Sequence, residues 1–488
     1  MQIAPTVAAC KRNLLASAGA GTRFLSPRRV AKAARARYCQ PMQTRTFRIT
    51  THPQERPLVE ALLMAQGFAF EPEPYYAAAR RLTSEPFPLG SSLAAYFGLI
   101  YIQDRSSMLP PALLGAQQGD VCLDMCASPG GKTGILAGEV GPHGFVLAAE
   151  ASRERLATLR QNLRRTGAIT AATIGAESQH LELAPECFDA ILLDPPCSGW
   201  GTVDKNPKVL ELWTPEKAET LVRLQRELLA RAAQLLKPGG RLMFSTCTTN
   251  VRENEDQAAW ALAALPLELD PLPEPPGFAP VPLARPGLEG VLRVGGPAQE
   301  ERGADDVGGQ GFFLARFRMT SGAAAPTGQT YPPLAGRELA RKDLAQAMEA
   351  GVDFGALPPG ELREFGGKAY FLHQAALDLC AHAGLGSGAQ RWQGFLLGQM
   401  QGARFAPAAR ARALMPPASA LPASAKLDVD KPALICDLLA GRSLELPAAP
   451  AGKTRAKTES AGIIGLYFQG LALGWLTRKG RRLLWSDR

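Results

Sequence analysis

The sequence predicts an α/β protein built around a doubly wound, mostly parallel sheet of the Rossmann type. Strand-like apolar runs alternate with helical patterns over residues 115–319, which is the rhythm of βα units in a parallel sheet. A glycine-rich turn at Ser128–Thr133 follows the first run, and Cys197 and Cys247 each follow a later one. Open α/β sheets bind ligands at the carboxyl ends of their strands, so we expect these groups at one edge.

Ahead of this core, residues 48–114 are predicted to form a small α/β subdomain. Its clearest element is an amphipathic helix over Arg56–Gly67 that ends at the glycine. In the core, the predicted strands are Val121–Asp124, Phe145–Ala149, Ala172–Ile174, Ala190–Leu193 and Arg241–Ser245. The predicted helices are Gly134–Val140, Arg153–Thr166, Pro215–Leu236 and Glu253–Ala264. Lys237–Gly240 is expected to be a sharp turn into the fifth strand.

The core is expected to close with a strand at Gly311–Phe317, after which the secondary-structure signals weaken. Residues 320–428 are therefore predicted to be a linker and intermediate region. Residues 429–488 contain glycine-punctuated β-like runs, Ile463–Phe468 and Leu471–Leu476, with a basic finish. They are predicted to form a separate β-rich domain.

Length and composition narrow the class of protein. A chain of 488 residues is expected to hold two or three domains, and it has no apolar run long enough for a membrane span. Its nine cysteines are an odd number with no secretory leader ahead of them, which predicts free thiols in the cytoplasm. The five histidines are isolated and no Cys-x-x-Cys pair occurs, so no metal site is expected.

The glycine-rich turn fits neither common phosphate-binding motif. A Walker A loop fails at its first glycine, where this chain has Cys126, and no G-x-G-x-x-G is present. A carboxylate, Glu150, ends the next predicted strand, where an acidic side chain can bind ribose hydroxyls. The segment is thus either a nucleotide-like cofactor site or an ordinary strand-turn-helix.

The two cysteines also allow two interpretations. A single cysteine near a strand end is usually a small buried hydrophobe. However, Asp194-Pro195-Pro196 makes a rigid extended segment like the one in amino-directed base methyltransferases, where an aromatic residue follows. Here Cys197 stands in its place, so a thiol replaces the stacking platform. This substitution favours a carbon atom as the methylation target.

Taken together, these motifs resemble the Sun-type RNA (cytosine-5) methyltransferase family, in its bacterial, RsmF-like ribosomal RNA branch. The similarity runs from about Tyr101 to about Ala315. It includes the segments Cys126–Lys132, Leu193–Gly199, Asn206–Pro207, Trp213–Glu216, Ser245–Thr248 and Glu253–Glu255. The C-terminal domain resembles, more loosely, the PUA-like RNA-binding domain of that branch.

The resemblance implies a Rossmann-like methyltransferase that forms 5-methylcytosine in RNA, most readily ribosomal RNA or a small ribosomal subunit. It makes Cys247 the nucleophile, Asp194 the holder of the cytosine ring and Cys197 the group that assists elimination, with Lys132 favouring the Cys247 thiolate. Three neighbouring possibilities are a DNA methyltransferase, a methyltransferase that acts on protein or a small molecule, and a non-catalytic RNA-binding protein. The second thiol in a Thr-Cys motif favours RNA, and both thiols favour an enzyme.

The resemblance also implies S-adenosylmethionine as the cofactor. Its implied contacts are Cys126, Ala127, Ser128, Pro129, Gly130, Gly131, Lys132, Glu150, Glu177 and Asp194. Glu177 is reached by counting from Glu150, whereas counting back from Asp194 reaches Ala176, so its position rests on a one-residue gap.

The net charge of +9 lies in the first residues of the chain. Met1 to Gln54 holds ten Lys or Arg and no Asp or Glu. Residues 1–47 are predicted to be a basic, disordered arm. A nucleic-acid-binding arm or an extension from an overlong start assignment is favoured over an organellar transit peptide, because the resemblance is to a bacterial type.

Overall fold

The structure is a computed structural model that describes residues 45–203, 208–295, 311–321, 331–332, 334–402, 404–445 and 462–485. The basic arm predicted for residues 1–47 lies outside the described residues except for its last three. The described residues form four sheets: a small N-terminal sheet, a large central sheet, an intermediate sheet and a C-terminal sheet.

The N-terminal sheet is antiparallel, with strand order β2-β3-β1-β4. Its strands are β1 (Thr46–Ile49), β2 (Ala69–Pro72), β3 (Ala79–Ser84) and β4 (Ile100–Ile102). Its helices are α1 (Arg56–Met64) and α2 (Leu93–Tyr96), and α3 (Leu109–Leu113) leads into the core. The predicted helix over Arg56–Gly67 is confirmed, and Gly67 has the positive φ of a helix stop.

The central sheet confirms the predicted doubly wound class. Five parallel strands lie in the order β7-β6-β5-β8-β9, with antiparallel strands beyond β9. The parallel strands are β5 (Val121–Asp124), β6 (Phe145–Ala149), β7 (Ala171–Gly175), β8 (Phe188–Leu193) and β9 (Leu236–Thr246). The antiparallel ones are β10 (Leu267–Leu269), β11 (Leu292–Val294) and β12 (Phe312–Met319).

Helices cover the central sheet. They are α4 (Gly131–Glu139), α5 (Arg153–Thr166), α6 (Val209–Leu212), α7 (Pro215–Leu235) and α8 (Glu255–Ala264). Buried aliphatic side chains pack on both faces of the sheet, for example Leu147 on one and Val146 on the other. Strands buried on both faces explain why they appear as unbroken apolar runs in the sequence.

Several boundaries differ from the prediction, and three of these differences have a clear structural cause. Helix α4 begins at Gly131 and not at Gly134, because Gly130 adopts a φ of 100° and caps the helix ahead of it. Helix α8 begins at Glu255, since Val251–Glu253 form a 3₁₀ turn first. The predicted turn at Lys237–Gly240 lies inside β9, where it bulges out of the register with β8.

The range predicted as a linker and intermediate region, 320–428, contains a five-stranded antiparallel sheet with order β13-β14-β15-β17-β18. Its strands are β13 (Arg337–Glu338), β14 (Gly360–Phe365), β15 (Lys368–His373), β17 (Phe395–Gln401) and β18 (Arg404–Pro407). Helices α9 (Arg341–Glu349) and α10 (Gln374–His382) accompany it. The prediction underestimated this region because charged residues and glycines interrupt its strands.

A short strand from this region, β16 (Arg391–Gln393), leaves the intermediate sheet and pairs antiparallel with β7. It thereby covers one edge of the central sheet.

The C-terminal sheet has the order β19-β21-β22-β23-β20. Its elements are β19 (Lys426–Val429), α11 (Pro432–Leu439), β20 (Leu444–Glu445), β21 (Gly462–Phe468), β22 (Leu471–Lys479) and β23 (Arg482–Trp485). Both predicted β-like runs lie inside strands. This sheet shares one hydrophobic core with the N-terminal subdomain, and the Trp485 indole donates to the Tyr96 hydroxyl at 2.9 Å.

Among the described residues, no helix is both long enough and apolar enough to cross a membrane. The cysteines of these residues form no disulfide.

Candidate active site

The two predicted cysteines meet at the carboxyl edge of the central sheet. Cys197 follows β8 and Cys247 follows β9, and these strands are parallel neighbours, so their ends lie side by side. The two Sγ atoms are 3.4 Å apart, within hydrogen-bond distance for thiols. The distance between the two cysteines along the sequence does not predict this contact. It follows from the strand order, which makes β8 and β9 neighbours.

The electrostatics of the pair are unequal. The hydrogen bond from the Cys197 thiol lowers the pKa of Cys247, and the Lys132 ammonium acts in the same direction, although burial and the Asp194 carboxylate oppose them. The same hydrogen bond, together with burial, raises the pKa of Cys197. Cys247 is therefore the more acidic thiol of the pair, and when it ionises the Cys197 thiol is the donor of the hydrogen bond.

Lys132 and Asp194 form an ion pair beside the thiols. The Lys132 Nζ atom lies 2.6 Å from Asp194 Oδ2, and Ser245 Oγ donates to Asp194 Oδ1 at 3.0 Å. Burial opposes the positive charge of Lys132, but the Asp194 carboxylate outweighs it and the pKa of Lys132 is raised. Lys132 thus stays protonated, and the pair carries no net charge. Sequence reasoning quoted Ser245 within a motif but gave it no role.

The turn between β5 and α4 forms the floor of the candidate cofactor site. It contains Cys126, Ala127, Ser128, Pro129, Gly130 and Gly131, and it lies at the switch point between β5 and β8 where the strand order reverses. Burial raises the pKa of Cys126 above its usual range, so its thiol stays protonated. The Pro129 carbonyl accepts from Asn162 Nδ2 at 2.8 Å, which holds the turn against α5.

Behind this turn, Asp124 at the end of β5 was missed by the sequence analysis. Its Oδ2 accepts from Thr133 Oγ1 at 2.7 Å, while Oδ1 is buried without a hydrogen-bond partner among the described residues. Burial raises the pKa of Asp124 to about 6. The sequence signal that could have identified Asp124 is a carboxylate at the end of the first predicted apolar strand, where the fold buries it.

Glu150 and Glu177, both predicted to contact the cofactor, stand in different surroundings. Glu150 at the end of β6 is 5% exposed, and its Oε1 accepts from the Ser152 backbone N–H at 2.8 Å, with Arg155 3.4 Å from Oε2. Glu177 follows β7, and its side chain is 63% exposed and pairs with His180 at 3.2 Å. Both lie at the carboxyl edge, and only Glu150 is buried in it.

A buried carboxylate that sequence reasoning did not assign, Glu253, fixes the loop that carries Cys197. Glu253 is fully buried and accepts hydrogen bonds from the Ser198 backbone N–H at 2.9 Å and the Ser198 hydroxyl at 2.5 Å. Gln225 Nε2 donates to it at 3.1 Å and Asn250 Nδ2 at 2.9 Å. These donors satisfy the carboxylate without a cation. They tie the residue after Cys197 to the segment after Cys247.

Next to it, Glu255 and Arg293 form a buried ion pair of 2.7 Å, and Arg293 Nη1 donates to the Thr249 carbonyl at 3.1 Å. The described residues contain no group of three or more His, Cys, Asp or Glu side chains that could hold a metal ion.

A family model described as 16S rRNA methyltransferase RsmB/F matches residues 111–275, which span β5 to β9 and both thiols. The predicted resemblance is confirmed. The chain is 37% identical over 313 residues to a "Ribosomal RNA small subunit methyltransferase F" of Salmonella paratyphi A, covering 62% of this chain and 64% of that one. The protein of that name from Salmonella arizonae is 37% identical over 299 residues, covering 60% of each chain.

Among solved structures, a methyltransferase homologue from Pyrococcus horikoshii is 33% identical, with a TM-score of 0.48, over 59% of this chain and 89% of that one. A second structure from Pyrococcus horikoshii, titled "NSun6 … with SFG", is 21% identical with a TM-score of 0.49. The chain spans less than two thirds of the curated relatives that it matches.

Proposed function

We propose that the protein is an S-adenosylmethionine-dependent RNA methyltransferase that forms 5-methylcytosine, with ribosomal RNA as its substrate. The observation that carries the proposal is the contact between the Cys197 and Cys247 thiols, 3.4 Å apart beside the Lys132–Asp194 pair. The similarity of residues 111–275 to the RsmB/F family and the "Ribosomal RNA small subunit" name of the relatives support the substrate class.

The residues at the carboxyl edge fit the cofactor. Glu150 retains acceptor capacity for ribose hydroxyls, because each carboxylate oxygen has two lone pairs and only one is used by Ser152. Asp124 Oδ1 is a buried acceptor below the turn, with no hydrogen-bond partner in the part of the chain that the structure describes. Asp194 neutralises Lys132, so a cationic sulfonium is not repelled there. When bound, S-adenosylmethionine supplies the electrophilic methyl group.

The proposed reaction begins at Cys247. Its thiolate adds to carbon 6 of cytosine, so a sulfur–carbon bond forms and the electrons of the 5,6 double bond move to carbon 5 and the ring. The Asp194 carboxylate accepts from the exocyclic amino group, and it holds ring nitrogen 3 through the proton that this nitrogen takes up from solvent as the electrons move into the ring. Carbon 5 then attacks the methyl group, whose bond to the cofactor sulfur breaks so that S-adenosylhomocysteine leaves, and carbon 5 afterwards loses its proton to a base. The double bond re-forms as the Cys247 thiolate leaves, and Cys197 assists this elimination.

Opposite defects of the two thiols test this division of labour. Cys247→Ala is expected to abolish both methyl transfer and covalent attachment to RNA. Cys197→Ala is expected to allow addition but to slow release, which traps protein on RNA. The measurement is a denaturing gel with labelled ribosomal RNA and S-adenosylmethionine. An adduct with Cys247→Ala and none with Cys197→Ala would reverse the assignment, and equal methyl transfer to DNA and RNA would contradict the substrate class.

A further inference from the structure

A cavity of about 340 Å³ lies away from the thiols, between α5 and the intermediate sheet. Three cationic side chains line it: Arg160 and Arg164 of α5, and Lys368 at the start of β15. The Tyr370 phenol lies close enough to both arginines for their charges to act on its pKa. No aspartate or glutamate lines this cavity among the described residues.

The cations of the cavity lack counter-charges. Arg160 is partly buried, its Nε donates to the neutral Thr173 hydroxyl at 2.9 Å, and burial lowers its pKa. Neither Arg164 nor Lys368 forms an ion pair with a described acidic residue. Of the three cations only Arg160 is partly buried, whereas Arg164 and Lys368 are exposed. Three cations that line one cavity without a carboxylate favour an anion there, and the partly buried Arg160 gains most, because a charge removed from water needs a partner.

The walls of the cavity add a second kind of contact. Leu163, Phe395 and Leu396 contribute apolar surface, and the Gln161 and Gln393 amides supply further polar groups. A volume near 340 Å³ is at the small end of the range for ligand pockets and exceeds what an isolated phosphate needs. The combination of cations on one part of the wall and apolar side chains on another suits a phosphate attached to a flat organic group.

We propose that this cavity binds a nucleotide unit, with its phosphate held by Arg160, Arg164 and Lys368. The phosphate belongs either to an RNA chain or to a free nucleotide. From the N-cap residue of α5, Ser152, the rise of about 1.5 Å per residue places the two arginines roughly 12 to 18 Å along the helix, so this site is separate from the carboxyl edge. The proposal goes beyond the proposed function, because it does not depend on which atom the enzyme methylates.

The test uses the full chain with Arg164→Gln and Lys368→Gln combined. Both side chains are exposed, so the double variant is expected to fold, which circular dichroism verifies. The matched control combines Arg341→Gln and Lys342→Gln, two exposed cations at the start of α9, and removes the same charge. Binding of uridine monophosphate and of uridine is measured by calorimetry. Binding of a fluorescent single-stranded RNA decamer is measured by anisotropy over a range of salt concentrations.

The double variant is expected to weaken binding of the decamer, of the monophosphate or of both by about tenfold or more relative to the control. For the decamer, the slope of log affinity against log salt is expected to fall by about 1.4, or 0.7 for each lost cation. Loss confined to the decamer assigns the site to an RNA chain, and loss of the monophosphate assigns it to a free nucleotide. Unchanged binding of both probes, or uridine binding as tightly as its monophosphate, would overturn the proposal. Adduct formation by Cys247 in the same protein reports on the proposed function separately.

Discussion

At the scale of single residues, the candidate site is a set of side chains whose charges are balanced locally. Lys132 is balanced by Asp194, and the hydrogen bond from the Cys197 thiol lowers the pKa of Cys247. The site residues that lie in sequence motifs could be predicted, because their side chains are of types that carry out chemistry. Glu253 lies in a quoted motif but was given no role, because a glutamate near the start of a predicted helix is usually exposed to solvent. Its burial depends on Ser198, Gln225 and Asn250, which come from three separate segments.

The acidity of Cys247 can be tested without substrate. Its main cause is the hydrogen bond from Cys197, so Cys197→Ala is expected to raise the pKa of Cys247 and to lower its thiolate fraction at neutral pH. The pH midpoint for alkylation of Cys247 by iodoacetamide, followed by mass spectrometry, should move upward. At a fixed pH below the midpoint, the alkylation rate falls about tenfold for each unit by which the pKa of Cys247 rises. Cys197→Ser keeps a hydroxyl donor, so its alkylation midpoint is expected to lie between those of the unchanged protein and of Cys197→Ala. Identical midpoints in all three proteins would contradict this account.

At the scale of elements, the sequence best predicted the strands and helices whose ends are set by neighbouring residues. Strands β5 and β6 and helix α5 match their predicted ranges residue for residue, since apolar runs, a Ser152 cap and a stop at Gly167 are local signals. Long-range contacts decided the rest. Helix α4, which Gly130 caps, is also held by Arg48, a buried residue of β1 whose Nη2 donates to the Gly131 carbonyl at 3.1 Å.

Two glycines of α4 provide a matched pair. A Cβ at Gly138 meets nothing within 4 Å, whereas one at Gly134 runs into the Arg48 guanidinium, which is buried and held by Gly131. Gly138→Ala is expected to raise the free energy of unfolding by about 0.5 to 1 kcal/mol through helix propensity. Gly134→Ala is expected to lower it by about 1 to 3 kcal/mol and to weaken S-adenosylmethionine binding. Denaturant midpoints and calorimetry measure both, and shifts of the same sign would show that Arg48 yields freely.

At the scale of the whole molecule, the N-terminal subdomain and the C-terminal sheet fold together. The C-terminal sheet and the N-terminal subdomain bury side chains such as Leu466 and Phe97 in one core. The separate domain predicted for 429–488 was drawn from local β signals, which cannot show what a sheet face packs against. Truncation before Val429 would expose that core, so charge variants are the appropriate probe of the basic C-terminal edge.

Lys479 and Arg482 are exposed cations at the hairpin between β22 and β23, on the basic edge of the C-terminal sheet. Replacing both with Gln is expected to raise the KM for ribosomal RNA by several-fold, because phosphate contacts are lost, without changing the affinity for S-adenosylmethionine. Steady-state kinetics and calorimetry measure the two effects. The Arg341→Gln and Lys342→Gln control is expected to leave both values as they are. An RNA KM equal to that of the control would show that this edge does not contact substrate.

The pairing of β16 with β7 has a consequence for synthesis of the protein. The outer strand of the central sheet, Ala171–Gly175, receives its neighbour from Arg391–Gln393, roughly 200 residues later. At about 5 to 20 residues per second, the ribosome needs about 10 to 40 s to make that interval. During this time the nascent central sheet presents an unpaired edge, which is a template for association with other chains. The emerging polypeptide is therefore most exposed to aggregation in this interval, and chaperone binding should concentrate there.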